Sequence, residues 1–499
     1  MKTWTDKEKK RTLSIYDHHE LRQLHDRIAQ SVWREKFHIQ TVTGLMNDPN
    51  GFCFFDGKWH LFYQWFPFGA VHGLKHWYHV ESEDLMTWEN KGLAMKPDLL
   101  YDNQGCYSGS ALIEDGTLYL AYTGNNKDVF GKRHPYQVLA WLNEKGEYEK
   151  LDHPLIGQLE DYTEHVRDPK LFRHNGRYYI LLGAQDKEEH GKFLLFSSEE
   201  LKQGWKMEGE LKVRGYDHFG YMVECPDLEK VGDDWVLLFS PQGLEAEGEL
   251  YNCKYNNVYF VGKMDFENLE FVPEGPFREL DRGFDFYAAQ CAMQEEYPDT
   301  AVLVGWFGCG DYTYPITDEE GWAGLQTLPR ELTVENGRLL QKPARSLVNL
   351  RGRKLFEARN GSIVSDSMHG LMPRTAIMRL DDPENESIQL NLFARSRKNG
   401  FAISYDKFRR KLVFDKGDLI NQCNEEFGTS RTITLEDGLK SLEIYLDRSS
   451  VEVFVNDGEY VVSARIFPTA EENLIRMGGK NIDLVIYDTN TTVEDSFVI

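Results

Sequence analysis

The strongest constraint on the fold is an internal repeat, in which a tight turn followed by an aromatic-rich apolar strand occurs five times. The turns begin at Asp56, Asp115, Asn175, Gly232 and Asp299, so successive copies are 59, 60, 57 and 67 residues apart. A β-repeat of that length can hold one four-stranded sheet with generous loops, and radial repetition of such sheets forms a propeller. The repeat therefore predicts five blades, and an ordinary sandwich with coincidental hairpins is the alternative.

The chain outside the repeat divides into two further regions. Residues 1–36 are rich in charge, and apolar residues at helical spacing predict an amphipathic helix from Tyr16 to Glu35. The repeat region itself spans 37–345. Residues 350–499 show alternating strands and a hairpin signal at Asn456-Asp457-Gly458, which is typical of a β-sandwich. The predicted fold class is all-β: a five-bladed β-propeller, then a C-terminal β-sandwich, with a short N-terminal helical extension.

Charge and apolar patterning exclude several classes of function. The 499 residues include 57 Lys plus Arg and 81 Asp plus Glu, a formal net charge of -24. Such an acidic chain is a poor candidate for binding nucleic acid or an anionic membrane. No stretch of about 20 apolar residues and no signal peptide is evident, so we expect a cytoplasmic protein that acts on a small molecule.

The cysteines and histidines give no clear metal motif. The seven cysteines are odd in number and contain no CxxC pair, which predicts reduced thiols and no zinc site. His72, His76 and His79 form a local cluster, for which ordinary hydrogen bonding is favoured over metal ligation. No metal or organic cofactor is expected.

Three carboxylates occupy equivalent positions of the repeat. Asp48, Asp168 and Glu224 each lie seven or eight residues before the turn of their copy, and Ser108 takes that place in the second copy. If the blades are related by rotation, these positions meet at one end of the central channel. Clustered carboxylates repel one another and are costly to desolvate, so such a cluster is usually functional. Metal binding by hard oxygen ligands and hydrolysis of a glycosidic bond are both plausible uses.

Aromatic residues near the acids favour a sugar ligand, because aromatic faces pack against the C–H faces of sugar rings. Each of these aromatics could instead pack in the core. The candidates are Trp65, Phe66, Trp77, Tyr107 and Trp306.

At these residues the chain resembles glycoside hydrolase family 32, the family of invertase-like β-fructofuranosidases. The resemblance covers more than nine-tenths of the chain, from about Phe37 to the C-terminus. It rests on Met46–Gly51, Phe62–Gln64, Tyr107–Ala111, Arg167–Pro169, Glu224–Asp227, Gly283–Tyr287, Gly321–Gly324 and Asp447–Phe454. It implies the same propeller and sandwich, with a structural or oligomer-contact role for the last motif.

The resemblance also implies roles for the three acids. Asp48 would be the nucleophile that attacks C2 of the fructosyl unit and forms a covalent fructosyl-enzyme. Glu224 would be the general acid and then the general base, and nearby aspartates would help it to keep its proton. Asp168, held by Arg167, would stabilise the oxocarbenium-like transition state. Retention of configuration requires carboxyl groups about 5–5.5 Å apart, which is a prediction for Asp48 and Glu224.

Further residues match positions that line the fructose subsite in the family. They are Asn47, Gln64, Ser108, Asp285 and Trp306. Two positions depart from the family pattern: Leu45 replaces a tryptophan and His72 replaces an aromatic residue, so both remove stacking surface.

The identity of the substrate stays open between sucrose, its 6-phosphate and short fructo-oligosaccharides. A phosphate would need local positive charge, for which Lys75, Arg133, His134 and Lys254 are candidates. An arabinan-type propeller hydrolase and a non-catalytic sugar-binding propeller are the alternative functions. A homodimer is one possible assembly.

Overall fold

The structure is a computed structural model that describes residues 2–294, 296–363, 372–382 and 384–499. Three α-helices are present in these ranges: α1 (Asp6–Lys9), α2 (His18–Ile28) and α3 (Pro315–Glu320). Short 3₁₀ helices span Ile15–Asp17, Leu100–Asp102, Arg345–Leu350, Glu425–Phe427 and Asn456–Gly458. Among the described residues, no helix has the length and apolar character needed to cross a membrane.

Five sheets follow one another along the chain, and each contains one of the predicted turns. The first is β1 (Gly44–Phe55), β2 (Lys58–Phe66), β3 (His76–Ser82) and β4 (Glu89–Met95). The second is β5 (Cys106–Glu114), β6 (Thr117–Lys127), β7 (Arg133–Leu142) and β8 (Tyr148–Lys150). The third is β9 (Tyr162–His174), β10 (Arg177–Asp186), β11 (Gly191–Ser198) and β12 (Lys206–Glu210).

The last two sheets have additional short strands. The fourth contains β13 (Lys212–Val213), β14 (Met222–Val231), β15 (Asp234–Gln242), β16 (Val258–Asp265), β17 (Glu270–Pro273) and β18 (Arg278–Glu279). The fifth starts with β19 (Tyr287–Met293) and β20 (Ala301–Trp306). Next along the chain, β21 (Trp322–Ala323) pairs in parallel with β1 of the first sheet. The fifth sheet then continues with β22 (Arg330–Glu335) and β23 (Arg338–Pro343).

The first antiparallel strands of the five sheets form a closed ring. β1, β5, β9, β14 and β19 contact one another in that order, and β19 contacts β1 again. The predicted five-bladed propeller is therefore confirmed. Three of the predicted turns are two-residue hairpins with both residues at positive φ, for example Asp56 at 48° and Gly57 at 77°. This conformation matches the twist of the flanking strands.

Apolar side chains fill the space between neighbouring blades. Phe62 of the first blade packs with Leu118 and Tyr122 of the second, and similar clusters join the later blades. Burial of these faces holds each sheet against its neighbours, and the inner strands are thereby kept in a fixed ring around the axis.

The strands after the propeller form the predicted C-terminal sandwich. They are β24 (Arg351–Ile363), β25 (Ala376–Asp381), β26 (Ile388–Ala394), β27 (Phe401–Asp406), β28 (Lys411–Asp415), β29 (Ser430–Thr434), β30 (Ser441–Leu446), β31 (Ser450–Val455), β32 (Tyr460–Arg465) and β33 (Leu474–Thr489). The long β33 pairs with β26 through its first part and with β24 and β25 through its second part. It therefore belongs to both layers. Ile403 and Leu412 of one layer pack in one core with Ile444 and Val453 of the other.

A buried polar network joins the N-terminal segment to the sandwich at Asp447. The carboxylate of Asp447 accepts hydrogen bonds from the backbone N–H groups of Lys36, Phe37 and His38, and from Nδ1 of the His38 ring at 3.1 Å. Although burial alone would lower it, bonds to Asp447 and to Glu452 raise the pKa of His38 to about 9. The motif from Asp447 to Phe454 thus lies at the domain contact, as a structural role requires.

The same network reaches the fifth blade through Arg330. Its guanidinium is fully buried and donates to Asp281 at 2.9 Å and to Glu452 at 2.8 Å. Glu452 also accepts the backbone N–H of Leu328 at 2.7 Å. A buried arginine with two carboxylate partners is costly to break, because any partner left alone would be an uncompensated buried charge.

The predicted N-terminal helix is shorter than expected. Helix α2 ends at Ile28, and Val32 is exposed rather than buried on the helix face. The reason is tertiary: the backbone just beyond Val32 bonds to Asp447 of the sandwich instead of continuing the helix. Pattern alone could not show a partner more than 400 residues away.

Candidate active site

The inner strands share a local irregularity at the end where the acids lie. Each inner strand has a register shift at the equivalent place, and the shift skips Asn47–Asp48, Tyr107–Ser108, Asp168–Pro169, Cys225–Pro226 or Ala288–Ala289. A β-bulge bends its strand and redirects a side chain. Asp168 and Cys225 have positive φ values of 65° and 45°, a conformation that is unusual for residues other than glycine and that concentrates at functional sites.

Glu224 is held by four hydrogen bonds. Arg167 donates to its Oε1 from Nε at 3.0 Å and from Nη2 at 2.7 Å. Gln242 and the Tyr287 hydroxyl donate to Oε2 at 2.7 and 2.5 Å. The side chain is 17% exposed. Both carboxylate oxygens are thus fixed in direction while part of the side chain remains exposed.

Asp48 is held by two side-chain hydrogen bonds. Its Oδ2 accepts a hydrogen bond from the Ser108 hydroxyl at 2.6 Å, and its Oδ1 accepts one from Asn47 at 3.2 Å. Desolvation raises the pKa of Asp48, and the negative charge of Glu224 raises it further. Ser108 and Asn47 oppose this shift because they donate to the ionised form.

Asp168 is the most enclosed of the three acids, with 7% of its side chain exposed. Its Oδ2 accepts the backbone N–H of Cys225 at 2.9 Å. Burial, together with the charges of Glu224 and Asp48, raises the pKa of Asp168 to about 7 although Arg167 opposes the shift. Arg167 Nε lies 4.0 Å from Asp168 Oδ2, so its hydrogen bonds go to Glu224 rather than to the aspartate it was predicted to hold.

Cys225 shows that the three acids come together. Its sulfur lies 3.6 Å from Asp168 Oδ2 and 4.0 Å from Asp48 Oδ2, and it follows Glu224 directly in the chain. Carboxylates from three separate blades therefore surround one small volume, as the phase of the repeat predicts.

A polar chain extends from Asp48 along the first blade. The amide of Gln64 donates to the Ser108 hydroxyl at 2.6 Å and accepts from Asn47 at 2.8 Å. The ammonium of Lys75 donates to Asn47 Oδ1 at 2.5 Å. Burial lowers the pKa of Lys75 to about 7, although Asp48 opposes the shift. Asn47, Gln64 and Ser108 thus lie together beside Asp48.

Trp306 and Tyr107 are the aromatic candidates that lie near the acids. The Trp306 ring packs edge-on against His72 at 6.0 Å and Tyr287 at 6.5 Å between ring centroids. Within the described part of the chain its indole N–H has no hydrogen-bond partner. Tyr107 is half-buried and lies next to Ser108 in the second blade's bulge.

Three other aromatic candidates lie in the core. Trp65, Phe66 and Trp77 are fully buried, so none of them presents a face to a ligand. The Trp77 indole donates to the Tyr107 carbonyl at 3.0 Å, and it therefore supports the strand that carries Ser108 rather than stacking on a sugar. The sequence pattern could not distinguish these buried aromatics from aromatics that face a ligand, because both faces of a propeller blade are covered by neighbouring sheets.

Asp285 is likewise placed away from the hydrogen-bonded group around the acids. It is 1% exposed, and its oxygens accept the Tyr314 hydroxyl at 2.6 Å and the backbone N–H of Arg465 at 2.8 Å. Arg465 belongs to the sandwich. The carboxylate therefore braces the last blade against the second domain.

Several residues of the site were not predicted from the sequence to belong to it. Gln242 and Tyr287 reach Glu224 from the fourth and fifth blades, and His165 contacts Arg167 at 2.9 Å. Tyr287 stands in the fifth inner strand next to the bulge, so the repeat register could have found it. Gln242 and His165 have no such signal.

The charges of the site favour acid–base chemistry over metal binding. The Arg167 guanidinium donates directly to Glu224, and the Lys75 amine lies beside Asp48 through its hydrogen bond to Asn47. The negative charge that would attract a divalent cation is therefore already partly neutralised. Paired carboxylates with distinct hydrogen-bond environments are instead the arrangement used to cleave glycosidic bonds.

Comparison with known proteins decides the family. The sequence model for the glycosyl hydrolases family 32 N-terminal domain matches residues 38–343, and the model for the family's C-terminal domain matches 356–494. The chain belongs to glycosyl hydrolase family 32. The resemblance predicted from the motifs is therefore confirmed, over both domains.

Named relatives cover nearly the whole chain. The sucrose-6-phosphate hydrolase of Staphylococcus xylosus is 36% identical over 94% of this chain and 94% of its own length. That of Klebsiella pneumoniae is 39% identical over 89% of this chain and 90% of its own. These relatives confirm the prediction that this family 32 enzyme is of the β-fructofuranosidase type.

Solved structures agree with the fold over both domains. The sucrose-6-phosphate hydrolase of Lactobacillus gasseri aligns with a TM-score of 0.91 at 35% identity, over 98% of this chain and all of that one. A variant of a Bombyx mori β-fructofuranosidase, solved in complex with sucrose, aligns with a TM-score of 0.82 at 29% identity, over 97% of this chain and all of that one.

Proposed function

We propose that this family 32 enzyme hydrolyses the fructosyl bond of sucrose-6-phosphate, and of sucrose less efficiently, by double displacement through a covalent fructosyl-enzyme. The observation that carries the proposal is the convergence of Asp48, Asp168 and Glu224 from three blades around Cys225. The relatives named as sucrose-6-phosphate hydrolases support the choice of substrate.

In the first step, an Asp48 oxygen attacks C2 of the fructosyl unit, and the bond from C2 to the glycosidic oxygen breaks. Glu224 transfers its proton to that departing oxygen, so the glucose part leaves as an alcohol. Ser108 and Asn47, which donate to the two oxygens of Asp48, hold the attacking carboxylate in direction.

In the second step, the ionised Glu224 accepts a proton from water, and the water oxygen attacks C2. The ester bond to Asp48 breaks, and fructose leaves with the configuration of the substrate restored. Asp168 supports both transition states, because an anionic oxygen stabilises positive charge that develops at C2 and on the ring oxygen. Arg167, Gln242 and Tyr287 keep Glu224 directed at the reacting atoms throughout.

The remaining polar groups fit a sugar ring at this place. The amide of Gln64 and the side chain of Asn47 border the nucleophile, and the buried indole N–H of Trp306 beside them has no partner among the described residues. A few well-placed polar groups in a concave site are sufficient to orient a small ligand.

Among the predicted phosphate ligands, Arg133 fits best. His134 is paired with Asp128 at 3.0 Å, and Lys254 is exposed beside the Tyr255 ring. Lys75 belongs to the chain beside the nucleophile.

Arg133 is half-buried and lies against Tyr107, with Nη2 3.4 Å from the Tyr107 hydroxyl. Among the described residues its guanidinium contacts Tyr107 and forms no ion pair with a carboxylate. The partly exposed guanidinium can therefore donate to phosphate oxygens beside Tyr107.

The substrate proposal is tested by comparing kcat/KM on sucrose-6-phosphate and on sucrose. We expect at least a hundredfold preference for the phosphate, equivalent to about 2.7 kcal/mol. Arg133→Gln should lower kcat/KM on sucrose-6-phosphate at least about tenfold, while kcat/KM on sucrose stays unchanged. Lys132→Gln, an exposed neighbour, is the matched control. Equal values on the two substrates in the parent enzyme would refute the phosphate preference.

The double displacement is tested by stereochemistry, because methanol can replace water in the second step. Nuclear magnetic resonance of the methyl fructofuranoside formed should show only the β-anomer. Glu224→Gln should lose less activity on fructosides with good leaving groups, since these need less help from the acid. An α-anomer, or equal losses on all leaving groups, would exclude the assigned roles.

The cysteines support a reducing compartment, and we propose the cytoplasm as the place of action. All seven cysteines are free thiols. Disulfide-free proteins of this cysteine content are typical of reducing compartments. Fractionation of the producing cells, with activity measured in cytoplasm and culture medium, tests the location.

A further inference from the structure

Three side chains outside the catalytic pocket meet on one face of the first blade. His60 on β2 is the direct cross-strand partner of Glu81 on β3, and His79 lies two residues before Glu81. Because side chains two apart on a strand share a face, all three point to the same side of the blade. These strands lie outside β1, which carries Asp48.

The three donor atoms form a compact triangle. His60 Nδ1 lies 3.0 Å from His79 Nε2, and Glu81 Oε1 lies 3.7 Å from the first and 3.9 Å from the second. Zinc lies about 2.0–2.2 Å from nitrogen and oxygen ligands, so tetrahedral ligands are about 3.4 Å apart. The observed separations lie on both sides of that value, and only small movements of the side chains are required.

Each histidine also has a second contact that suits a metal ligand. The other ring nitrogen of His60, Nε2, donates to the Phe55 carbonyl at 3.1 Å, which leaves the lone pair on Nδ1. The other ring nitrogen of His79, Nδ1, lies 3.4 Å from the Tyr148 hydroxyl. If that nitrogen carries the proton, Nε2 has its lone pair free. Metal-binding histidines usually donate their second N–H to such a partner.

Packing holds both imidazole rings in place. His60 and His79 are buried, and their rings stack on each other at 5.2 Å between centroids. The ring of His79 is further fixed by stacking on Phe62 at 4.4 Å between centroids. Imidazoles held in this way lose little conformational entropy when they bind a cation.

An acidic recess reaches one of the three side chains, Glu81, from the surface. Glu81 lines it together with Glu83, Asp84 and Glu89, against one lysine, Lys58. Lys58 and Lys91 approach the other oxygen of Glu81, Oε2, at 3.3 and 3.5 Å. Both lysine side chains are more than a third exposed, at 37% and 39%, so solvent screens their repulsion of a cation. The recess thus gives a cation a route to the Glu81 carboxylate.

We propose that His60, His79 and Glu81 bind one divalent zinc-class cation, which cross-links β2 and β3 and has its fourth position open to the recess. Two imidazoles and one carboxylate suit zinc and neighbouring transition metals, whereas magnesium and calcium prefer oxygen ligands alone. On binding, the ring proton of His79 shifts from Nε2 to Nδ1, and the Nδ1–H then donates a hydrogen bond to the oxygen of the Tyr148 hydroxyl. The site is separate from the proposed hydrolysis and does not depend on it.

The test is zinc binding to tag-free, chelator-treated enzyme, measured by calorimetry and by metal analysis after dialysis. We expect one zinc per chain, a higher melting temperature with zinc, and no effect of magnesium. Glu81→Gln keeps the size of the side chain and should weaken binding at least about tenfold, and Tyr148→Phe should weaken it about tenfold. Both variants should keep the hydrolytic activity of the parent enzyme.

A surface histidine provides the matched control. His190 lies 3.4 Å from Asp186 and near His218, so it offers similar donors without the buried geometry. His190→Gln should leave affinity and stoichiometry unchanged. The proposal is overturned if the parent enzyme binds no zinc, or if Glu81→Gln binds as tightly as the parent. It is also overturned if His190→Gln removes the binding.

Discussion

Arg167 donates two hydrogen bonds to a single oxygen of Glu224, whereas its nearest approach to Asp168 is an ion pair at 4.0 Å. The arginine therefore positions Glu224, the proposed acid–base residue, rather than Asp168, the proposed transition-state stabiliser. A guanidinium fixes direction as well as charge, because its donors lie in one plane.

Replacing Arg167 by lysine should separate these two contributions. Lysine keeps the positive charge but cannot donate from two fixed positions to Glu224 Oε1. We expect kcat to fall about 10- to 100-fold, or about 1.4–2.7 kcal/mol, with a smaller change in KM. Steady-state kinetics on sucrose checks this. An unchanged kcat would mean that the charge alone is sufficient.

Tyr287→Phe should lower kcat about tenfold or more. The hydroxyl donates to Glu224 Oε2 at 2.5 Å, and a hydrogen bond to a charged group contributes about 1.5–3 kcal/mol. The loss should be smaller on fructosides with good leaving groups. Tyr255→Phe is the control, since its ring packs near Tyr287 but its hydroxyl donates to Asp311. Equal losses in both variants would show a general packing effect.

Asp168→Asn should abolish turnover and stabilise the fold at neutral pH. The folded protein raises the pKa of Asp168 to about 7, above the ordinary value of 3.8. The folded state therefore binds a proton more tightly, and stability falls as pH rises from about 4 to 7. Asparagine has no carboxyl group to titrate, so the variant does not lose stability in this way as pH rises. Thermal melting should show a higher Tm for the variant at pH 8 and no gain at pH 4; a constant difference would contradict the assignment.

His38→Gln should weaken the contact between the domains in a pH-dependent way. The pKa of His38 is raised to about 9, so its stabilising charge is fully present below pH 6.5 and is lost as pH rises through 9. Below pH 6.5 the variant should lose about 3–5 kcal/mol of unfolding free energy, because Asp447 and Glu452 lose their buried cationic partner. The difference should narrow above pH 9. Urea unfolding at pH 6 and pH 9.5 measures it.

Much of the fold was predictable because the turns that mark the repeat can be recognised from adjacent residues in the sequence. Turns such as Asp56-Gly57 require positive φ at both residues, and few residue pairs other than Asp-Gly or Asn-Gly adopt it readily. The phase of the acids relative to these turns then placed them on equivalent inner positions. Rotation about the axis, rather than any sequence neighbour, brought Asp48 and Glu224 together.

What the sequence could not show depends on contacts between distant elements. Trp77 and Trp306 are both tryptophans on propeller strands. Trp77 donates to a backbone carbonyl in the core, whereas Trp306 lies beside the acids. Asp285 stands in a family motif, but a backbone N–H of the sandwich takes one of its oxygens. Local pattern carries no information on which blade or domain covers a side chain.

The contacts of Asp447 with residues 36–38 also determine how late in protein synthesis the two domains can join. The two partners are 411 positions apart. At about 5–20 residues per second, the ribosome delivers Asp447 roughly 20 to 80 seconds after the backbone groups that it must bind. During that interval the sandwich residues that cover Glu35 and His38 have not yet been made. The contact between the N-terminal segment and the sandwich therefore forms only when translation is nearly complete.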